Sequence, residues 1–237
     1  PPGQGQKIKK TFILQKSDKL LILVGQKGAL SNRRGWSAGG GGGGGTFVVD
    51  KTTGNPLIIA AGGNGAGNHS HTGVSINGQP TYDDRGTLGN GGRGGYITSG
   101  DPYGNAGGGG GMFVDGFNNL NDLVYEQIHY SMIGKSFSNG GVGGTSYTAR
   151  RNDAWGMENT NKYASGGFGG GGGSYLEGGG GGGYVGGDTT PRDENDFSDQ
   201  SFGAGSFIEG VASGDVVSEG LNLGLNTGHG QVKITLL

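Results

Sequence analysis

The sequence predicts a mainly β protein with little α-helix, an antiparallel sandwich into which a bundle of extended glycine helices is inserted. Three observations lead there. Short β-branched and aromatic segments bounded by turn residues recur near both ends of the chain. Of 237 residues, 62 are glycine, and many of these stand in solid runs. Hydrophobic residues make up only 30% and charged residues 15%, too little for a conventional large core, a helix bundle or a coiled coil. Collagen is excluded as well, because glycine does not recur at every third position and there are only 6 prolines.

The strand segments come first. Residues 8–14 and 19–24 read as a strand pair turning at Lys16, Ser17 and Asp18, and residues 46–50 and 56–61 as a second pair turning at Thr53, Gly54 and Asn55. Residues 206–211, 215–218 and 231–237 supply strands near the C-terminus, the last with the alternation of a half-buried strand. The sandwich is thus expected mainly in 7–24, 46–61 and 206–237 of a single module spanning 1–237. Residues 118–133 place Leu120, Leu123, Val124 and Ile128 near helical spacing, with Asn118 or Asn119 as N-cap and Gly134 as stop, and predict a short helix.

Between these lie the glycine runs, Gly39 to Gly45, Gly107 to Gly111, Gly169 to Gly173 and Gly178 to Gly183. In an α-helix each glycine costs roughly 1 kcal/mol relative to alanine, and strands suit it little better. The remaining regular conformation is the extended threefold helix, whose N–H and C=O groups all point outward. Ordering such a run requires nearly every one of those groups to find a partner. Parallel rods of the polyglycine II type satisfy this, since no Cβ keeps them apart. The bundle is expected mainly in 39–45, 62–111 and 134–187. All prolines lie outside the runs, as a bonded rod requires, and serine rarely interleaves them, unlike a flexible linker. Trp36, Phe168, Tyr175 and Tyr184 stand at or between runs and are expected to anchor the rods on apolar neighbours. A surface aromatic platform for sugars is the alternative use of such residues.

Charge is unevenly placed. Residues 1–34 hold eight Lys or Arg against Asp18 alone; chain totals of 17 basic and 19 acidic residues then leave nine against eighteen. The balance is +7 followed by −9, for a net charge of −2 that argues against a dedicated nucleic-acid binder. Lysines protecting a strand edge account for the basic end. The sharper reading is attraction between neighbouring copies, with Lys7, Lys9 and Lys10 meeting Asp193, Glu194, Asp196 and Asp199. No cysteine is present, which excludes disulfides and cysteine-ligated metals, and no apolar run reaches the 18 or so residues of a membrane span. Pro1, Pro2 and Gly3 carry no signal-peptide pattern, so a mature product or excised domain is expected.

Catalytic apparatus is not visible. Gly134, Lys135 and Ser136 resemble the end of a phosphate loop, but the required upstream glycine is His129. His69 and His71 lack a third ligand, and the acidic stretch 193–199 lacks the spacing of a calcium loop. No cofactor is expected, and no enzyme activity.

The segments WSAGGGGGGGTFVV, PLIIAAGGNG, NAGGGGGMF, GKSF, GGFGGGGGSYLEGGGGGGYVGG and GHGQVKI, in that order, closely resemble the extracellular glycine-rich domain of the anaplastic lymphoma kinase and leukocyte tyrosine kinase receptors. The opening FILQKSDKLLILVGQKG is similar to that domain's first strand pair. The resemblance implies a tumour-necrosis-factor-like sandwich carrying polyglycine helices, an extracellular or cell-surface location, and a non-catalytic role. In the receptors the domain binds a basic cytokine and dimerises. Here the cysteines are missing, Thr227 and Gln231 stand where receptor glutamates meet that ligand, and residues 112–133 are longer. The leading expectation is therefore an assembly or adhesion module whose partner is itself, a fibre subunit being one form. A receptor-type fragment binding a basic polypeptide and a carbohydrate-binding adhesin are the alternatives.

Overall fold

A computed structural model describes residues 3–30, 39–67, 77–78, 106–117, 132–146, 164–174, 177–189, 203–210 and 226–236. Among the described residues the architecture is mainly antiparallel β with almost no helix. Strands β1 (Leu20–Leu23), β2 (Thr46–Asp50), β3 (Pro56–Ala60) and β4 (Phe207–Ile208) form one sheet in that order. A single 3-10 turn, Phe137–Asn139, is the helical element among the described residues.

The β2–β3 hairpin forms where the sequence places it. Asp50 Oδ1 accepts the N–H groups of Thr52 and Thr53 at 2.6 and 3.0 Å, and Gly54 closes the turn on the Asp50 carbonyl at 2.8 Å. Gly54 has φ +75°, a conformation that a β-branched residue would strain to adopt. Alternation then buries Phe47 and Val49 on β2 and Leu57 and Ile59 on β3. Phe47, Val49 and Ile59 pack with Met112, Tyr184 and Val185, which come from the ends of glycine segments, while Leu23, Phe137 and Phe207 close the margin. Two stacked ring pairs, Phe47 with Phe137 and Tyr184 with Phe207, have centroids 5.0 and 4.5 Å apart. The small core therefore sits between the sheet and the glycine region.

Two expected strands are not strands. Residues 8–14 do not pair with 19–24; the turn at Lys16 and Ser17 forms, but Leu20–Leu23 pairs with β2 instead. Residues 231–236 form no ladder either. Residues 8–14 are β-prone in composition and 231–236 alternate, but no strand among the described residues pairs with either. Residues 215–218 and most of 118–133 lie outside the described residues; Met132 and Ile133, at the end of the expected helix, are buried in an irregular turn.

The glycine region continues the sheet with a different period. Thr46 stands opposite Ala60, and in the same register Gly43 N–H donates to Gly63 and Gly40 N–H to Ala66. Likewise Phe47 faces Leu23, Gly44 donates to Gln26, and Gly41 to Ala29. The remaining donors, Gly45 and Gly42, reach Gly169 and Gly172. Along 39–45 the N–H groups thus turn to three neighbours in rotation, returning to each after three residues. In a pleated strand they would alternate between two sides. Residues 178–183 behave similarly: Gly179 and Gly182 donate to Gly40 and Gly43, and Gly180 and Gly183 to Gly107 and Gly110. These bonds are 2.8–3.2 Å long, and the run is buried. Burial of so much backbone is tolerable only because its polar groups are paired.

Candidate assembly surface

Side chains substitute for backbone where the glycine lattice is interrupted. Asn64 is 1% exposed; its Nδ2 donates to the Asp188 carbonyl at 2.6 Å and its Oδ1 accepts from Gly181 N–H at 2.8 Å. One amide therefore stitches two segments as a peptide group would. Ser174 Oγ accepts from Ala164 N–H at 3.0 Å and donates to the Gly39 carbonyl at 2.6 Å, and Ser206 Oγ accepts from Ala61 N–H at 3.0 Å. The expected rod ends Gly39, Gly45, Gly107, Gly111, Gly169, Gly173, Gly178 and Gly183 are all buried. Sequence reasoning missed Asn64, although a lone amide inside AAGGNGAG is the available signal. Tyr184 is a buried anchor as expected, whereas Phe168 is 39% exposed and contributes its carbonyl, which accepts from Gln26 N–H at 2.7 Å. Trp36, Tyr175 and the acidic residues Asp193, Glu194, Asp196 and Asp199 lie outside the described residues.

At the surface, Asp115 ties the loop after residues 106–111 to the 3-10 turn. Its carboxylate accepts from Ser136 N–H at 2.8 Å, Asn139 Nδ2 at 3.0 Å and Lys135 Nζ at 2.9 Å. Burial pushes its pKa up, but the hydrogen bonds from Ser136, Asn139 and Lys135 outweigh this and leave it lowered from 3.8 to about 2. A depressed folded-state pKa means stability that is present above pH 3.8 and lost as pH falls through about 2. Discounted for the partial exposure of the pair, the contribution is about 1–2 kcal/mol. Asp115→Asn should therefore lower urea-unfolding stability by about that amount at pH 7 and flatten the acid limb between pH 4 and 2. An acid limb of unchanged shape would mean that other carboxylates produce it.

Two arms leave this body without joining its sheet. The first is rooted by Gly3 N–H on Asn64, Gly5 N–H on Asn226 and Gln6 N–H on Ala61, at 2.8, 3.2 and 2.8 Å. Beyond Gln6, residues 7–14 make no backbone hydrogen bond among the described residues. Lys7, Lys9 and Lys10 are exposed, and so are Ile13 at 93% and Leu14 at 46%. The second arm is rooted by Gly230 N–H on the Gly25 carbonyl at 2.7 Å, with His229 Nδ1 accepting from Lys27 N–H at 3.3 Å. Ile234 and Leu236 beyond it are 61% and 92% exposed. Beside the roots, Leu21 and Ile22 on edge strand β1, and Val24 after it, are 40–45% exposed. Scattered apolar exposure is ordinary, but here two segments without ladder partners lie beside a sheet edge that is unpaired among the described residues.

Among the described residues there is no group of three or more His, Cys, Asp or Glu placed to hold a metal ion, and no helix is long and apolar enough to cross a membrane. The chain matches no protein-family model and none of the curated proteins.

Proposed function

We propose that the chain is a non-catalytic, extracellular or cell-surface structural module that works by assembling with copies of itself. In this reading the sheet belongs to a tumour-necrosis-factor-like sandwich and the glycine segments are polyglycine II rods. The three-residue rotation of hydrogen bonds along 39–45 supports the rods, and the resemblance to the receptor glycine-rich domains supports the sandwich. The observation that carries assembly is the exposure of Lys7, Lys9, Lys10, Ile13 and Leu14 in 7–14, an arm of basic then apolar residues with no partner strand among the described residues.

Such an arm adds to a neighbour's sheet edge by backbone pairing. Lys7, Lys9 and Lys10 would then meet the acidic remainder of the next copy, with Asp193, Glu194, Asp196 and Asp199 as the proposed contact. Exposed charge pairs contribute only about 0–1 kcal/mol each, so backbone bonds and apolar contact dominate. Electron microscopy of the purified chain tests this. The full chain should form regular filaments, deletion of residues 1–14 should abolish them, and added salt should only slow their growth. Unchanged filaments from the truncated chain would eliminate the arm mechanism. Isolated monomers that capture a basic polypeptide would instead support the receptor-type reading, which the resemblance motivates.

A further inference from the structure

We infer that the outer edge of β1 receives residues 231–236 of a second copy as the next strand of its sheet. The inference rests on the assembly reading above and names an acceptor edge and a second donor arm for it. Among the described residues β1 stands at the end of the strand order and pairs with β2 alone. Its outer N–H and C=O groups are therefore available to an added strand. The donor segment QVKITL places Val232, Ile234 and Leu236 on one face by alternation, and residues 231–236 make no backbone hydrogen bond among the described residues.

The arm does not serve its own chain, and its root gives the reason. The contacts of Gly230 with Gly25 and of His229 with Lys27 run antiparallel, and extending them regularly would bring the arm along its own β1. At residues 25 and 26, however, the chain has already left the two-residue period of a strand. Gly25 N–H turns inward to Thr46 Oγ1 at 3.0 Å, and Gln26 N–H turns to the Phe168 carbonyl at 2.7 Å. The arm is bonded to a segment whose donors rotate from neighbour to neighbour, so no ladder propagates from it onto β1. Among the described residues each chain thus carries an open β1 edge and, besides the 7–14 arm, a C-terminal segment without a ladder. Copies that satisfy both must join head to tail, a contact that extends into fibres unless its rotation closes a ring.

The natural absence of cysteine makes the test direct. Leu21→Cys protein carrying a tag is mixed in turn with Val232→Cys, Ile234→Cys and Leu236→Cys protein under filament-forming conditions and oxidised. Paired strands bring opposite Cβ atoms within disulfide reach. At least one mixture should give a mixed disulfide dimer that runs at twice the monomer mass and disappears on reduction. Homodimers alone, or no cross-link in any mixture, would overturn the inference. The Leu21→Cys/Ile234→Cys double variant should give a ladder of multimers, and an intramolecular disulfide in its place would show closure within one chain and overturn it too. Filaments without the cross-link defeat this inference and leave the assembly reading standing; a cysteine-free chain that stays monomeric defeats both.

Discussion

Gly171→Val should cost more than the 0.5–3 kcal/mol of an ordinary substitution. A Cβ at Gly171 would meet the Gly42 carbonyl oxygen inside contact distance and lie 2.7 Å from the Gly167 nitrogen. Gly181→Val should behave alike, with the Gly62 carbonyl oxygen 2.5 Å from the new Cβ and its carbon at 2.9 Å. All of these are backbone atoms, and Gly167 N–H is bonded to the Gly42 carbonyl at 2.9 Å, so neither site can yield as a flexible side chain would. Overpacking of this kind forces segments apart and leaves buried N–H and C=O groups unpaired. The period of three supplies a control within one run. A Cβ at Gly43 would find its closest neighbours at 3.5 and 3.6 Å, ordinary contact, whereas at Gly42 and Gly44 it would overlap carbonyl groups. Gly43→Ala should therefore be near neutral, helped by about 0.4–1 kcal/mol through a less flexible unfolded chain. Gly44→Ala should be severely destabilising. Melting temperatures of the four variants decide it: equal values would mean that the runs are not packed as described.

Asn64→Leu should be among the most damaging exchanges of a polar side chain, at about 2–5 kcal/mol. It preserves approximate volume but removes the acceptor for Gly181 N–H and the donor for the Asp188 carbonyl, and each buried group left unpaired costs about 1–3 kcal/mol. Asn64→Asp at neutral pH should cost at least as much, because a buried carboxylate keeps the acceptor for Gly181 but is desolvated and faces the Asp188 carbonyl oxygen. Part of that loss should be recovered at pH 4, where the carboxyl is protonated and can donate to the Asp188 carbonyl. Denaturant unfolding with a constant m-value provides the comparison. Should Asn64→Leu match wild type, the amide would be a passive filler of the lattice.

Local sequence carried the hairpin and the general character of the glycine region. Asp50, Thr53 and Gly54 specify a turn by short-range chemistry, and Phe47, Val49 and Ile59 specify a buried face by alternation, so both were readable from neighbours in the chain. The same rules overreached at 8–14 and 231–236. A β-prone composition or an alternating pattern says that a segment can be a strand, but pairing requires a partner in register, and β2 gives its free side to Leu20–Leu23.

The arrangement of the glycine segments was decided by tertiary structure alone. One glycine is chemically the same as the next, so a run such as 39–45 holds no information about which neighbour it faces or in what register. That information enters from the flanking side chains. The β2–β3 register carries straight into the bonds from Gly43 to Gly63 and from Gly40 to Ala66, and the β1–β2 register into those from Gly44 to Gln26 and from Gly41 to Ala29. Given that the runs are ordered, composition required nearly all of their N–H and C=O groups to be paired, because glycine has no side chain to bury. That the third run opens in a turn, with Gly169 and Gly170 at φ +101° and +84°, was decided by the tertiary structure. Which of them meet was settled by a few apolar residues in the sheet, since only side chains distinguish one register from another.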